Sequence, residues 1–260
     1  MSTWTRYEEH PLTRESLLAL LNNEIPAIRI KGFASKEECV AFTQSAKKGN
    51  IKYYNTEKRI GYIGMAQYEY RWDRPKADYF EAVKKANLDL AAVTASAFNP
   101  VTRLMEALRT VYPSNVDFAN EPELGHYFAG IIRMASDGID LHADFAPFNT
   151  LDYEIRHIDA QLGWNFFCEE PAAGGRTTVH NAPWTPEMKS GEIPKSYGLP
   201  RDIVAGAPTF TYVPTAGDVV IFNTRNPHEV SAGVADPGVD RVSIGSFIGR
   251  MPDRSLVLWA

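Results

Sequence analysis

Cysteine is scarce in this sequence: Cys39 and Cys168 are the only two, far apart and without CxxC spacing. That argues against a disulfide framework and a zinc knuckle, and it makes a reducing, cytoplasmic setting the expectation. No stretch approaches the ~18 consecutive apolar residues of a membrane span. The opening residues, MSTWTRYEEHPLTRE, show no basic segment followed by an apolar run, so no secretory leader is read there. Excess positive charge is missing as well. Lys and Arg number 27 against 32 Asp and Glu, a net charge of −5, which disfavours a phosphate-tracking surface and hence a nucleic-acid partner. There is no internal repeat and no low-complexity tract.

What is present is ordinary for a soluble globular protein: 260 residues, 44% hydrophobic and 23% charged, enough to bury a sizeable core. The first part reads as mixed α and β. Residues 13–22 form a short apolar-rich helix, and the alternation in residues 25–32 reads as a strand. Ser35 and Glu38 match a capping box that opens a helix through Ala46. Residues 77–98 are strongly helical up to the Asn99-Pro100 break, and residues 101–111 form another helix ending before Pro113.

From about Tyr127 the texture changes to short β-rich runs separated by Gly, Pro, Asn and Asp. Eight strands are expected: 127–134, 140–145, 160–168, 176–180, 209–213, 218–223, 228–232 and 241–248. With no strong helix between them, they predict a mainly β fold with flanking helices and a double-sheet jelly-roll core. The expected organisation is a single domain over 1–260. It has a helix-rich scaffold (1–120), a jelly-roll catalytic core (121–250) and a C-terminal tail (251–260). The Pro-rich stretch from Asn181 to Pro208 reads as a lid or as a decorative insertion.

The sharpest chemical signal is Leu141-His142-Ala143-Asp144-Phe145. On a strand, His142 and Asp144 project from one face and can share one metal ion. His228, in Asn226-Pro227-His228-Glu229-Val230, follows an apolar strand and can supply a third ligand. Two imidazoles and one carboxylate suit Fe(II), with open positions left on the metal. Farther on, Arg241-Val242-Ser243 places a guanidinium and a hydroxyl on one face, a pair suited to a carboxylate. The alternative for Arg241 is a surface ion pair with Asp240. His10, His126, His157 and His180 read as structural.

These pieces stand in the order used by the iron(II)/2-oxoglutarate dioxygenase superfamily: His142-x-Asp144, Gly174-Gly175-Arg176-Thr177, Gly217-Asp218 leading to His228, then Arg241-x-Ser243. The sequence resembles that superfamily over roughly residues 127–250. The resemblance implies a double-stranded β-helix with Fe(II) on His142, Asp144 and His228. It also implies 2-oxoglutarate anchored by Arg241 and Ser243, dioxygen as second cosubstrate, release of succinate and CO2, and hydroxylation of an unactivated C–H bond. More narrowly, the stretches around Asn226–Val230 and Gln161–Phe167 are similar to the free-standing radical halogenases of amino acids and their hydroxylase relatives. In the halogenases a Gly or Ala replaces the triad carboxylate; Asp144 keeps it here, which favours hydroxylation.

An amino acid or amino-acid-like metabolite is the implied kind of small-molecule substrate. Arg71, Trp72 and Arg74 could clamp its carboxylate, or form an amphipathic strand. Of Trp164 and Asn165 at most one can face the site, and Trp184 could line its entrance or cover the lid. A halogenase, a desaturase, a zinc hydrolase and a non-catalytic jelly-roll binding module remain as alternatives. Nothing in the sequence sets the oligomeric state.

Overall fold

The computed structural model describes residues 4–55, 58–71, 74–185, 198–234 and 241–260. Its scaffold is a pair of β-sheets. The larger runs, strand by strand, through Glu9–His10, Ala27–Ile30, Val219–Asn223, Ala160–Glu169, Val242–Arg250, Ile131–Met134, Gly61–Ile63 and Lys52–Tyr53. The smaller has the order Thr209–Tyr212, Thr177–His180, His228–Val230 and Ile139–His142, antiparallel throughout. All eight expected strands form, and the two sheets make the jelly roll.

Alternation along the longest strand sorts its side chains into two cores. Leu162, Trp164, Phe166 and Cys168 join the main apolar cluster, which extends into the helices, whereas Phe167 packs with Val179, Tyr212 and Phe222 in a second cluster. Burying both faces explains why Ala160–Glu169 reads as a continuous apolar run rather than a polar–apolar alternation. Gly245 sits opposite Asn165, where a Cβ would lie 2.3 Å from the Trp164 carbonyl oxygen. The two strands can approach there only because residue 245 has no side chain.

The helices begin where their caps dictate. Thr13 and Ser16 form a reciprocal capping box ahead of Arg14–Leu21, and Ser35 with Glu38 does the same for Lys36–Lys48. Asn99 accepts from the Val101 and Thr102 amides, and Pro100 starts helix Pro100–Val111 where its missing N–H is harmless.

Two features depart from the expected layout. Ala27–Ile30, counted within the helical scaffold, is an internal strand of the large sheet beside Val219–Asn223. The expected C-terminal tail holds strand Leu256–Trp259, which pairs antiparallel with Val242–Arg250 and parallel with Val116–Phe118. Leu256, Leu258 and Trp259 are buried. A short apolar strand at a chain end looks like a tail until a partner covers it.

Candidate active site

His142 ends its strand, and His228 begins the neighbouring one directly opposite it. Their ring centroids are 4.1 Å apart. Asp144 lies just past the strand end, so it reaches the pair from a turn and not from the same strand face. Its backbone N–H donates to the Thr224 carbonyl at 2.9 Å, which holds that turn in place. Asp144 Oδ2 is 3.8 Å from both His142 Nε2 and His228 Nε2. The three ligand atoms lie within 4.8 Å of one another, and all three residues are buried.

Carbonyl groups orient both rings. His142 Nδ1 donates to Asp140 O at 2.6 Å and His228 Nδ1 to Asn226 O at 3.0 Å. A carbonyl can only accept, so each proton sits on Nδ1 and each Nε2 turns a lone pair toward Asp144. Burial holds the His228 pKa well below its ordinary value, helped by the nearby His142. The ring is therefore neutral near pH 7, the form that binds metals. Two imidazoles and a carboxylate in one buried cluster fit Fe(II) by donor chemistry.

A cavity of about 470 Å³ opens beside this cluster and runs to Arg241 and Ser243. Arg241 is 3% exposed, and its pKa is lowered by burial and by the neighbouring Arg133 guanidinium. The buried Tyr212 hydroxyl lies near Thr177, and neither the hydroxyl nor Thr177 Oγ1 makes a hydrogen bond among the described residues. A buried cation beside two such hydroxyls is a cradle for an oxyanion. Beside it, Gly175 at φ +62° adopts a backbone conformation suited to glycine, and an added Cβ would crowd Pro171 Cγ at 2.9 Å.

Of the other expected residues, Trp164 and Asn165 both border the cavity; the Trp164 ring also packs in the helix-side core, where its indole N–H donates to Ser246 Oγ at 2.8 Å. Arg71 and Arg74 do not line the cavity; they lie over the rings of Tyr68 and Tyr70. Their segment contributes Gln67, Tyr68 and Glu69 instead. Trp184 is buried against Phe148, away from the lining. Trp72, Asp240 and residues 186–197 of the Pro-rich stretch lie outside the described residues.

Thr177, Tyr212, Arg133 and Gln161 carried no role in the sequence reading, yet all line the cavity. The parity of Arg241 and Ser243 extends to Arg133, the register partner of Ser243. That pairing is what could have found Arg133, once the two strands were known to be neighbours.

A jelly roll of this layout, with such a cluster at one end of its cavity, defines the fold of the 2-oxoglutarate/iron(II) oxygenases. An oxidoreductase of that family from Burkholderia pseudomallei has a similar structure (TM-score 0.52, 13% identity, 95% of each chain covered). An N-substituted L-amino acid dioxygenase from Burkholderia ambifaria AMMD is also similar (TM-score 0.65, 14% identity, 95% of this chain and 91% of that one). The chain belongs to the family of the carrier-protein-independent halogenase WelO5, whose model matches residues 6–259. Among curated relatives, leucinostatins biosynthesis cluster protein S of Purpureocillium lilacinum is 33% identical over 81% of this chain and 90% of its own length. The L-gamma-glutamyl-L-propargylglycine hydroxylase of Streptantibioticus cattleyicolor is 25% identical over 100% of this chain and 97% of its own length.

Proposed function

We propose that this protein is an iron(II)- and 2-oxoglutarate-dependent oxygenase that hydroxylates a C–H bond of a small, amino-acid-like molecule in the cytoplasm. The observation that carries this reading is the placement of two features in one cavity: the buried His142, Asp144 and His228 cluster, and the buried Arg241 beside Ser243, Thr177 and Tyr212. In this reading His142, Asp144 and His228 hold Fe(II), and Arg241 with Ser243 takes the distal carboxylate of 2-oxoglutarate. Iron, cosubstrate and dioxygen together supply the oxidising power, yielding succinate and CO2 as the substrate is hydroxylated. The protein's share is to orient the two imidazoles through the Asp140 and Asn226 carbonyls and shield the reacting carbon from water.

Two relatives, a hydroxylase and an amino acid dioxygenase by name, support an amino-acid-like substrate. Buried, free Cys39 and Cys168 suit a reducing compartment. Chlorination on the same iron is the second reading, favoured by the family match. Asp144 weighs against it, because its carboxylate would serve as an iron ligand where a chloride would otherwise have to bind.

The test is iron(II)-dependent succinate formation from 2-oxoglutarate across a panel of amino acids and small metabolites. Stimulated turnover with a product heavier by one oxygen is expected. In the same assay Arg241→Met should raise the KM for 2-oxoglutarate by about tenfold or more, the worth of one lost charge-assisted pair, while iron affinity is kept. Absence of succinate with iron demonstrably bound would sink the oxygenase reading in favour of a hydrolase or a binding module.

A further inference from the structure

The cavity holds a second arginine that the cosubstrate does not require. Arg133 lies on strand Ile131–Met134, directly opposite Ser243, and lines the cavity with its side chain half-buried. The hydroxyl of Tyr54, whose ring stacks on Tyr62 at 4.2 Å, lies near enough to feel its charge. No carboxylate of the described residues stands within 4.0 Å of it.

Glu69 also lines the cavity and feels Arg133 without forming a close pair. Lys52 and Arg74 act on Glu69 as well, the former more strongly than Arg133 does, so its negative charge is shared among three cations. Glu69 is exposed to the cavity, yet the packing around it raises its pKa above the ordinary carboxylate value. Among the described residues, then, no carboxylate pairs closely with Arg133. A half-buried guanidinium so placed is a ready partner for an anion.

Counting charges locates that anion. On the reading above, 2-oxoglutarate carries two carboxylates: one goes to the metal and the other to Arg241. Arg133 is left over, positioned on the neighbouring strand and facing the same space. We propose that Arg133 is a specificity-determining residue that binds a carboxylate of the substrate. The substrates are thus small carboxylic acids, amino acids included, and the same molecules without the free carboxylate are poor ligands. Asn165, whose amide also faces the cavity, borders the same space. This inference rests on the oxygenase reading of the site.

The experiment compares each of the proteinogenic L-amino acids with its primary amide, using wild-type protein, Arg133→Gln and Arg133→Lys. Binding is followed by calorimetry without oxygen, in the presence of iron(II) and 2-oxoglutarate, and succinate formation is measured in parallel. The best acid should bind at least about tenfold more tightly than its amide, the usual worth of one charge-assisted pair. Arg133→Gln should erase that preference while leaving amide binding and the KM for 2-oxoglutarate within about twofold, and Arg133→Lys should restore part of it. The proposal is overturned if no acid outbinds its amide in the wild type, or if the preference survives in Arg133→Gln. It is equally overturned if Arg133→Gln raises the KM for 2-oxoglutarate instead, because Arg133 would then serve the cosubstrate. Failure of the oxygenase reading shows itself separately, as absent succinate with iron bound, and the calorimetric comparison still decides the role of Arg133.

Discussion

Two backbone carbonyls, those of Asp140 and Asn226, decide which nitrogen of each buried imidazole can reach a metal. The Asn226 carbonyl is itself held from a distance. Asn226 Nδ2 donates to Asn23 Oδ1 at 2.6 Å, and the Trp4 indole N–H donates to the same oxygen at 3.2 Å. Asn23 adopts φ 60°, a left-handed conformation that asparagine tolerates better than most residues. A residue two hundred positions upstream thus helps aim His228. Asn23→Gly keeps that backbone conformation accessible while removing the side chain. It should weaken iron(II) binding by about tenfold, the lower end of what loss of an outer hydrogen bond does to a metal site. An iron titration on folded protein checks this, and unchanged affinity would remove Asn23 from the support of His228.

At the scale of elements, helix Lys36–Lys48 is held by the side chain that also caps it. Glu38 accepts from the Ser35 backbone N–H at 2.9 Å and from both terminal nitrogens of Arg103, at 3.0 and 2.6 Å. The Arg103 hydrogen bonds, then the Ser35 amide, bring its pKa down to about 2 from an ordinary 4.5. A carboxylate whose folded pKa is depressed contributes stability that is complete above its unfolded pKa and is lost as pH falls through the folded one. The window here runs from about 4.5 down to about 2. Glu38 is about a third exposed, so solvent screening keeps the contribution near 1 kcal/mol. Urea denaturation should find Glu38→Gln less stable than wild type by about that amount at pH 6, with the gap narrowing steadily toward pH 3. A gap that does not change with pH would assign the loss to packing.

At the scale of the whole molecule, the last strand closes the structure around the cavity. Trp259 is 2% exposed and packs on Phe247 at 5.6 Å. The Ala260 backbone donates to the Phe128 carbonyl at 2.7 Å and accepts from the Gln67 amide at 2.8 Å. Trp259 and Ala260 both reach the cavity wall, as does Gln67. Trp259→Ala should cost about 3–5 kcal/mol, the range for truncating a buried large aromatic. The measurement is a urea unfolding midpoint. A loss under about 1 kcal/mol would return residues 251–260 to the status of a loosely attached tail.

Much of this was determined by the sequence alone, wherever the signal is local. Capping boxes at Thr13 and Ser35, the Asn99-Pro100 break and the turn-bounded β runs each depend on residues a few positions apart, so their elements form as expected. His142, Asp144, His228 and Arg241 could be singled out as candidates because histidine is scarce, with six in the chain, and the order and spacing of these residues are distinctive. Tertiary structure decided what depends on which strands become neighbours. Arg133 gains meaning only from lying opposite Ser243, and Trp164 packs in the main core while Phe167 joins the second cluster because the strand buries both its faces. Asn23 reaches His228 through Asn226, a link invisible to spacing. The strand at Leu256–Trp259 is too short to announce itself until Val242–Arg250 offers it an edge. Local patterns are set by sequence neighbours, whereas pairing and facing are set by burial of the whole chain at once.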